Sequence, residues 1–170
     1  MRRVAIIQGE HRVMAEPGVM LTTVLGSCVA VCLHDSTAKV GGMNHFLLGE
    51  PTPGQEVRSE DMQRYGIHAM ELLINDMMHS GAKRERLCGH VYGGANIIAG
   101  LGSIGSSNAA FALRFMEMEA IPIRHRDLGG NQARKVEFLP FDGKVRSIKV
   151  NDVPPVQKPQ RIAGNDLELF

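Results

Sequence analysis

The stretch Val19-Met20-Leu21-Thr22-Thr23-Val24-Leu25-Gly26-Ser27-Cys28-Val29-Ala30-Val31-Cys32-Leu33-His34 reads as two strands, Val19–Val24 and Val29–His34, parted at Gly26-Ser27. Val29, Val31 and Leu33 alternate at the strand period, and β-branched residues favour an extended, half-buried chain. Working outward, Val4–Gln8 and Arg12–Ala15 are shorter strands bounded by Gly9-Glu10 and Pro17-Gly18. Downstream, Asp35-Ser36 turns the chain into Val40–Leu48. Five strands within the first 48 residues imply an antiparallel or mixed sheet.

The pattern then changes period. Gly49 to Ser59 holds Pro51, Pro53 and Gly54 among polar residues and reads as an exposed loop leading into a helix capped by Ser59, with Glu60 and Asp61 where the helix dipole favours negative charge. Met70, Leu73, Ile74, Met77 and Met78 form the stripe of an amphipathic helix, and Gly81 stands where a C-terminal cap belongs. Leu87–Tyr92 reads as a strand, Ala95–Leu101 as a helical turn, Asn108–Glu119 as a second helix and Ile121–Asp127 as a further strand. Lys135–Leu139 and Lys144–Val150 flank Asp142-Gly143, the turn pair of a β-hairpin. The fold class expected is α+β or a layered α/β/α domain: a mixed, largely antiparallel sheet flanked by helices over residues 1–150. Residues 151–170, with Pro154, Pro155 and Pro159, read as a flexible tail.

Composition narrows the function classes. A chain of 170 residues that is 44% apolar and 22% charged has the make-up of one folded domain. Nineteen Lys and Arg against eighteen Asp and Glu leave a formal charge of +1, so no broad basic field points to nucleic acid or an anionic membrane. The start is too short of apolar residues for a secretory signal, and no stretch approaches the roughly 20 needed for a membrane span. A cytoplasmic location is expected. Cys28, Cys32 and Cys88 are odd in number and lack a disulfide framework spacing, so reduced thiols are expected.

Chemistry concentrates around Gly26-Ser27-Cys28 and the downstream Gly42-Met43-Asn44-His45. A thiol directly after Gly-Ser at a strand boundary leaves room for a substrate to approach and backbone N–H groups to face an oxyanion. His45, seventeen residues on, reaches that thiol if the two strands pair across the Asp35–Lys39 turn. An imidazolium beside a cysteine stabilises the reactive thiolate. Packing is the plainer account of a cysteine and a histidine in a strand-rich segment, and it suffices for Cys32, Cys88 and the remaining histidines.

A zinc site is the next possibility, since Cys28, Cys32, His34 and His45 are all ligand types. On a strand, however, Cys28 and Cys32 stand about 13 Å apart and cannot share an ion. Gly100-x-Gly102-x-x-Gly105 matches a dinucleotide-binding pattern formally, but no strand feeds it and no acidic residue follows at the required distance. No metal and no cofactor are expected.

Taken in order, Pro17-Gly18, Leu25-Gly26-Ser27-Cys28-Val29-Ala30-Val31, Gly42-x-x-His45, Tyr92-Gly93-Gly94-Ala95-Asn96, Ile104-Gly105-x-x-Asn108 and Asp127-x-Gly129-Gly130 with Arg134 resemble the chemoreceptor glutamine deamidases of bacterial and archaeal chemotaxis, the CheD family. The resemblance runs from about residue 3 to residue 150. It implies a fold similar to the catalytic domain of deamidating cytotoxic necrotizing toxins, with Cys28 as nucleophile, His45 as acid/base and Thr22 orienting the imidazole. Thr23 stands next to Thr22 and leaves the choice between them open. Gly26 and Ser27 would contribute to oxyanion and substrate binding. The resemblance further implies methyl-accepting chemoreceptor helices as substrate, glutamyl methylesterase as a side activity and the phosphatase CheC as a partner. This chain departs from the commoner family pattern at Ser106-Ser107 and Gln132-Ala133. A non-catalytic adaptor that binds receptors or CheC is the alternative from another class.

Overall fold

The computed structural model of the chain describes residues 1–48, 59–97 and 103–150. Its elements run β1 (Arg2–Ala5), β2 (His11–Met14), β3 (Val19–Leu25), β4 (Val29–Asp35), β5 (Val40–Asn44), α1 (Ser59–His79), β6 (Cys88–Gly93), α2 (Ile104–Met118), β7 (Ile123–Leu128), β8 (Ala133–Leu139) and β9 (Lys144–Val150), with a short 3-10 turn at Arg84–Arg86. The fold is mixed α+β. The strands form two sheets, one ordered β1-β3-β8-β9 and the other β2-β5-β4-β6-β7. β1–β3 and β6–β7 are parallel pairs, and every other pair is antiparallel.

Side-chain parity explains the layering. Every residue of β4 is buried, yet its two faces serve different cores. Val29, Val31 and Leu33 pack with Met70, Leu73 and Met77 of α1 and with Phe111 and Phe115 of α2. Ala30 and Cys32 face the other sheet and pack with Leu21, Leu25, Val136 and Phe138. The layers are therefore sheet, sheet, helices. This corrects the expected single sheet flanked by helices and its α/β/α variant, while the α+β alternative stands. Residues 29–33 of β4 are apolar on both faces, so their periodicity cannot reveal that one neighbour is a second sheet.

Several boundaries shift for local reasons. β1 ends at Ala5 instead of Gln8 because Ile7–Glu10 closes a turn, with the Glu10 N–H on the Ile7 carbonyl. β5 ends at Asn44, followed by one isolated bridge between Val29 and Phe46. α2 begins at Ile104, ahead of the expected Asn108, and Ala95–Ile97 is not helical. α1 closes as expected: Gly81 is left-handed (φ +108°), and the Ala82 N–H returns to the Met77 carbonyl. Gly143 (φ +79°) turns the β8–β9 hairpin. The expected loop over 49–58, residues 98–101 of the expected helical turn and the 151–170 tail lie outside the described residues, and Ser59, expected as the cap, is the first residue of α1.

One buried carboxylate fixes the β4–β5 turn on which the site depends. Asp35 accepts the N–H groups of Thr37, Ala38 and Lys83 and pairs with Arg86 at 2.9 Å. Burial acts to raise its pKa, but these donors outweigh it and hold the carboxyl well below the usual carboxylate range.

Candidate active site

The turn from β4 to β5 brings Cys28 and His45 to neighbouring strands. Val29 and Phe46 exchange two backbone hydrogen bonds, of 3.0 and 2.9 Å, in the register that also pairs Cys32 with Met43. Continuing that register sets His45 opposite Ala30, with Cys28 its diagonal neighbour on the same face. Such diagonals are roughly 7–8 Å apart at the backbone, a gap that a thiol and an imidazole can bridge between them. That face looks toward the other sheet, and Cys28 packs at the edge of the inter-sheet core.

The residue that meets His45 from the opposite sheet is Thr23, not the expected Thr22. Along β3, Val19, Leu21, Thr23 and Leu25 are buried, so odd positions face the inter-sheet core. Thr22 lies on the other face of the strand, one residue out of phase with the imidazole. Thr23 Oγ1 donates to the Ile6 carbonyl at 2.6 Å and lies 2.7 Å from His45 Nδ1. A hydroxyl has one proton and a carbonyl only accepts, so that proton goes to Ile6 and the ring must donate from Nδ1–H to Oγ1. Nε2 is then the unprotonated nitrogen.

Electrostatics agree with an uncharged ring. His45 is 3% exposed, and burial pulls its pKa down to about 4 even though the Ile6 carbonyl acts to raise it. At neutral pH the ring is uncharged, so it is a base rather than the resting imidazolium expected beside the thiol. Cys32 is fully buried, and burial pushes its thiol far up, which keeps it protonated and inert. No disulfide joins Cys28, Cys32 or Cys88.

The Gly26–Cys28 turn is held from behind by residues the motifs singled out. Ala95 N–H, Asn108 Nδ2 and Gly94 N–H donate in turn to the carbonyls of Gly26, Ser27 and Cys28. Asn108 also accepts the Leu48 N–H, so one buried amide ties α2 both to the Ser27 turn and to the chain that follows β5. Buried Arg134 donates to the Gly93 and Gly129 carbonyls. Gly93 is left-handed (φ +111°), and a Cβ there would stand 2.2 Å from the Cys28 carbonyl oxygen, so the residue must lack one.

What the sequence reading missed is the Ile6–Glu10 segment. Its Ile6 carbonyl orders Thr23, and Gln8 Oε1 lies 3.7 Å from Cys28 Sγ, which donates to it. Gly9-Glu10 signals a turn, but nothing local says that the turn folds against His45. A small cleft opens beside His45, between this segment and Tyr65, His68 and Leu72 of α1. Among the described residues no His, Cys, Asp or Glu cluster is arranged to hold a metal ion, and no helix is long and apolar enough to cross a membrane.

Comparison with known proteins bears on the chain as a whole. Residues 47–149 match the family described as CheD chemotactic sensory transduction. A protein of Caulobacter vibrioides named "Probable chemoreceptor glutamine deamidase CheD" is 48% identical over 99% of this chain and 93% of its own length. Proteins of the same name from Agrobacterium fabrum and Rhizobium rhizogenes are 45% and 51% identical, each over 99% of this chain and over 97% and 96% of their own lengths.

Proposed function

The chain belongs to the CheD family, and from that premise we propose that it is a protein-glutamine deamidase that converts glutamines of methyl-accepting chemoreceptors to glutamate in chemotaxis. Its relatives' names support the substrate and the reaction. The observation that carries the chemistry is the chain from the Ile6 carbonyl through Thr23 to His45, which leaves Nε2 as a base on the face that Cys28 shares.

A carboxamide is resonance-stabilised and a poor electrophile, so it needs a strong nucleophile, charge stabilisation at oxygen and a proton for the departing nitrogen. Cys28 Sγ passes its proton to His45 Nε2 and attacks the amide carbon. The N–H of Cys28 and a donor at the Gly26-Ser27 turn hold the oxyanion. His45 returns the proton to nitrogen, the C–N bond breaks, and ammonia leaves with a thioester on Cys28. Water, deprotonated by His45, cleaves the thioester to a glutamate side chain and restores the thiol. A glutamyl methyl ester enters by the same acyl-enzyme route, which makes methylesterase action part of the proposal. No step calls for a cofactor.

The proposed substrate is a long cytoplasmic receptor helix, and the proposed site of action is therefore the cytoplasm. The phosphatase CheC is retained as a proposed partner on family grounds alone. Incubating the protein with a receptor cytoplasmic fragment should release ammonia and add about one dalton per modified glutamine. Cys28→Ala should abolish both, whereas Cys88→Ala should leave both unchanged. Full activity in Cys28→Ala would refute the mechanism, and ammonia-free binding of the fragment by the wild type would favour the adaptor.

A further inference from the structure

We propose that Gln8 is a further catalytic residue, whose side-chain amide is one donor of the oxyanion hole at Cys28. The proposal rests on the reading of Cys28 as nucleophile and adds a group that neither the family motifs nor the strand pattern marks. Gln8 is exposed, so packing gives no account of an amide in contact with the thiol.

Its position is built by a turn bolted to the acid/base residue. Gln8 and Gly9 are the central residues of the turn that the Glu10 N–H closes on the Ile7 carbonyl at 3.0 Å. Gly9, at φ +90°, supplies the left-handed third position that such a turn requires. Gly9 N–H donates to the His45 carbonyl at 2.8 Å, and His45 N–H donates to the Glu10 carbonyl at 3.1 Å. The Glu10 carboxylate braces the turn by accepting the Ile7 N–H. At its root the Ile6 carbonyl receives the Thr23 hydroxyl, and the Ile6 N–H donates to the Thr22 carbonyl. One short segment thus sets the tautomer of the base and carries Gln8 to the sulfur.

The carboxamide can serve both halves of the step because it has an acceptor and a donor end. While Sγ keeps its proton, Oε1 accepts from it at 3.7 Å. Once that proton has gone to His45, the sulfur offers no donor, and a half-turn of the amide presents Nε2–H to the reacting centre. The oxyanion forms on the carbon newly bonded to sulfur, so a group in reach of Sγ is in reach of that oxygen. A donor aimed where charge develops lowers the barrier without strengthening ground-state binding.

The test compares deamidation of a receptor fragment with alkylation of Cys28 by iodoacetamide, which uses the thiol but forms no oxyanion. Gln8→Ala should lower kcat about 100-fold or more with KM within about twofold of wild type. Gln8→Glu, of equal shape but without a donor, should fall at least as far. Alkylation of Gln8→Ala should proceed at the wild-type rate. A Gln8→Ala kcat within about threefold of wild type, with Cys28→Ala inactive, overturns the role of Gln8 and leaves the nucleophile in place; an active Cys28→Ala overturns both. Equal losses of alkylation and deamidation would overturn it too, by placing Gln8's effect on the thiol. So would a gain of about one dalton at Gln8 in the wild type, which would make the residue a substrate of its own thiol.

Discussion

Replacing Thr23 with valine keeps its shape and removes the oxygen that holds the His45 ring. Thr23→Val should reduce kcat by roughly 10- to 100-fold, and Thr23→Ser should restore most of it, because the ring can then choose the wrong tautomer or rotate. Thr22→Val should stay within about twofold of wild type, and a larger loss there than in Thr23→Val would contradict the geometry. A second outcome concerns pH. The base works only when unprotonated, and burial lowers the His45 pKa to about 4, so kcat/KM should rise as pH increases through about 4 and be level by pH 6. An acid limb centred near 6.5 would mean a ring exposed to water.

At this same scale the sequence holds more than spacing alone extracts. The family resemblance implies Thr22, with Thr23 beside it left open, but the apolar parity of Val19, Leu21 and Leu25 already assigns Thr23 to the buried face. Gln8 is different in kind. Its role depends on where a turn docks, and docking is a tertiary fact that no local pattern records.

Among the elements, the β4–β5 connection matters most, since it sets the register that brings Cys28 and His45 together. Asp35→Ala would strip three backbone N–H groups of their acceptor and leave Arg86 without its partner. The expected cost is about 3 kcal/mol in urea unfolding, with part of the activity lost as the turn loosens. A change below about 1 kcal/mol would show that the turn is set by other contacts. The strands and α1 are legible in the sequence because alternation, helical stripes and the glycine at position 81 are local signals. The start of α2 at Ile104 is not, because its contact with the Gly94-Ala95 segment decides it. A Cβ at Gly105 would stand 2.2 Å from the Ala95 carbonyl oxygen, so the glycine serves close packing of α2 on the Gly94-Ala95 turn.

For the whole molecule, the two-sheet layering gives the site its character. Cys28 and His45 come from one sheet, Thr23 comes from the other, and Ile6 extends from the strand beside β3. A single sheet flanked by helices would have left the imidazole facing apolar helix residues with no hydroxyl opposite. The inter-sheet core buries the ring, keeps it neutral and leaves the thiol at the core's edge. The proposed chemistry is thus a property of how the sheets stack, which is why a reading confined to strand patterns singles out Cys28 and His45 but not the Thr23 hydroxyl that meets the ring.

The measurement that bears most directly on this arrangement is acid quenching of the protein with a receptor fragment during turnover, followed by intact-mass analysis. The account predicts a covalent adduct equal to the two masses less ammonia, about 17 Da, attached at Cys28 and cleaved by hydroxylamine as a thioester. Glutamate formation without any such adduct, or an adduct that persists in Cys28→Ala, would contradict it.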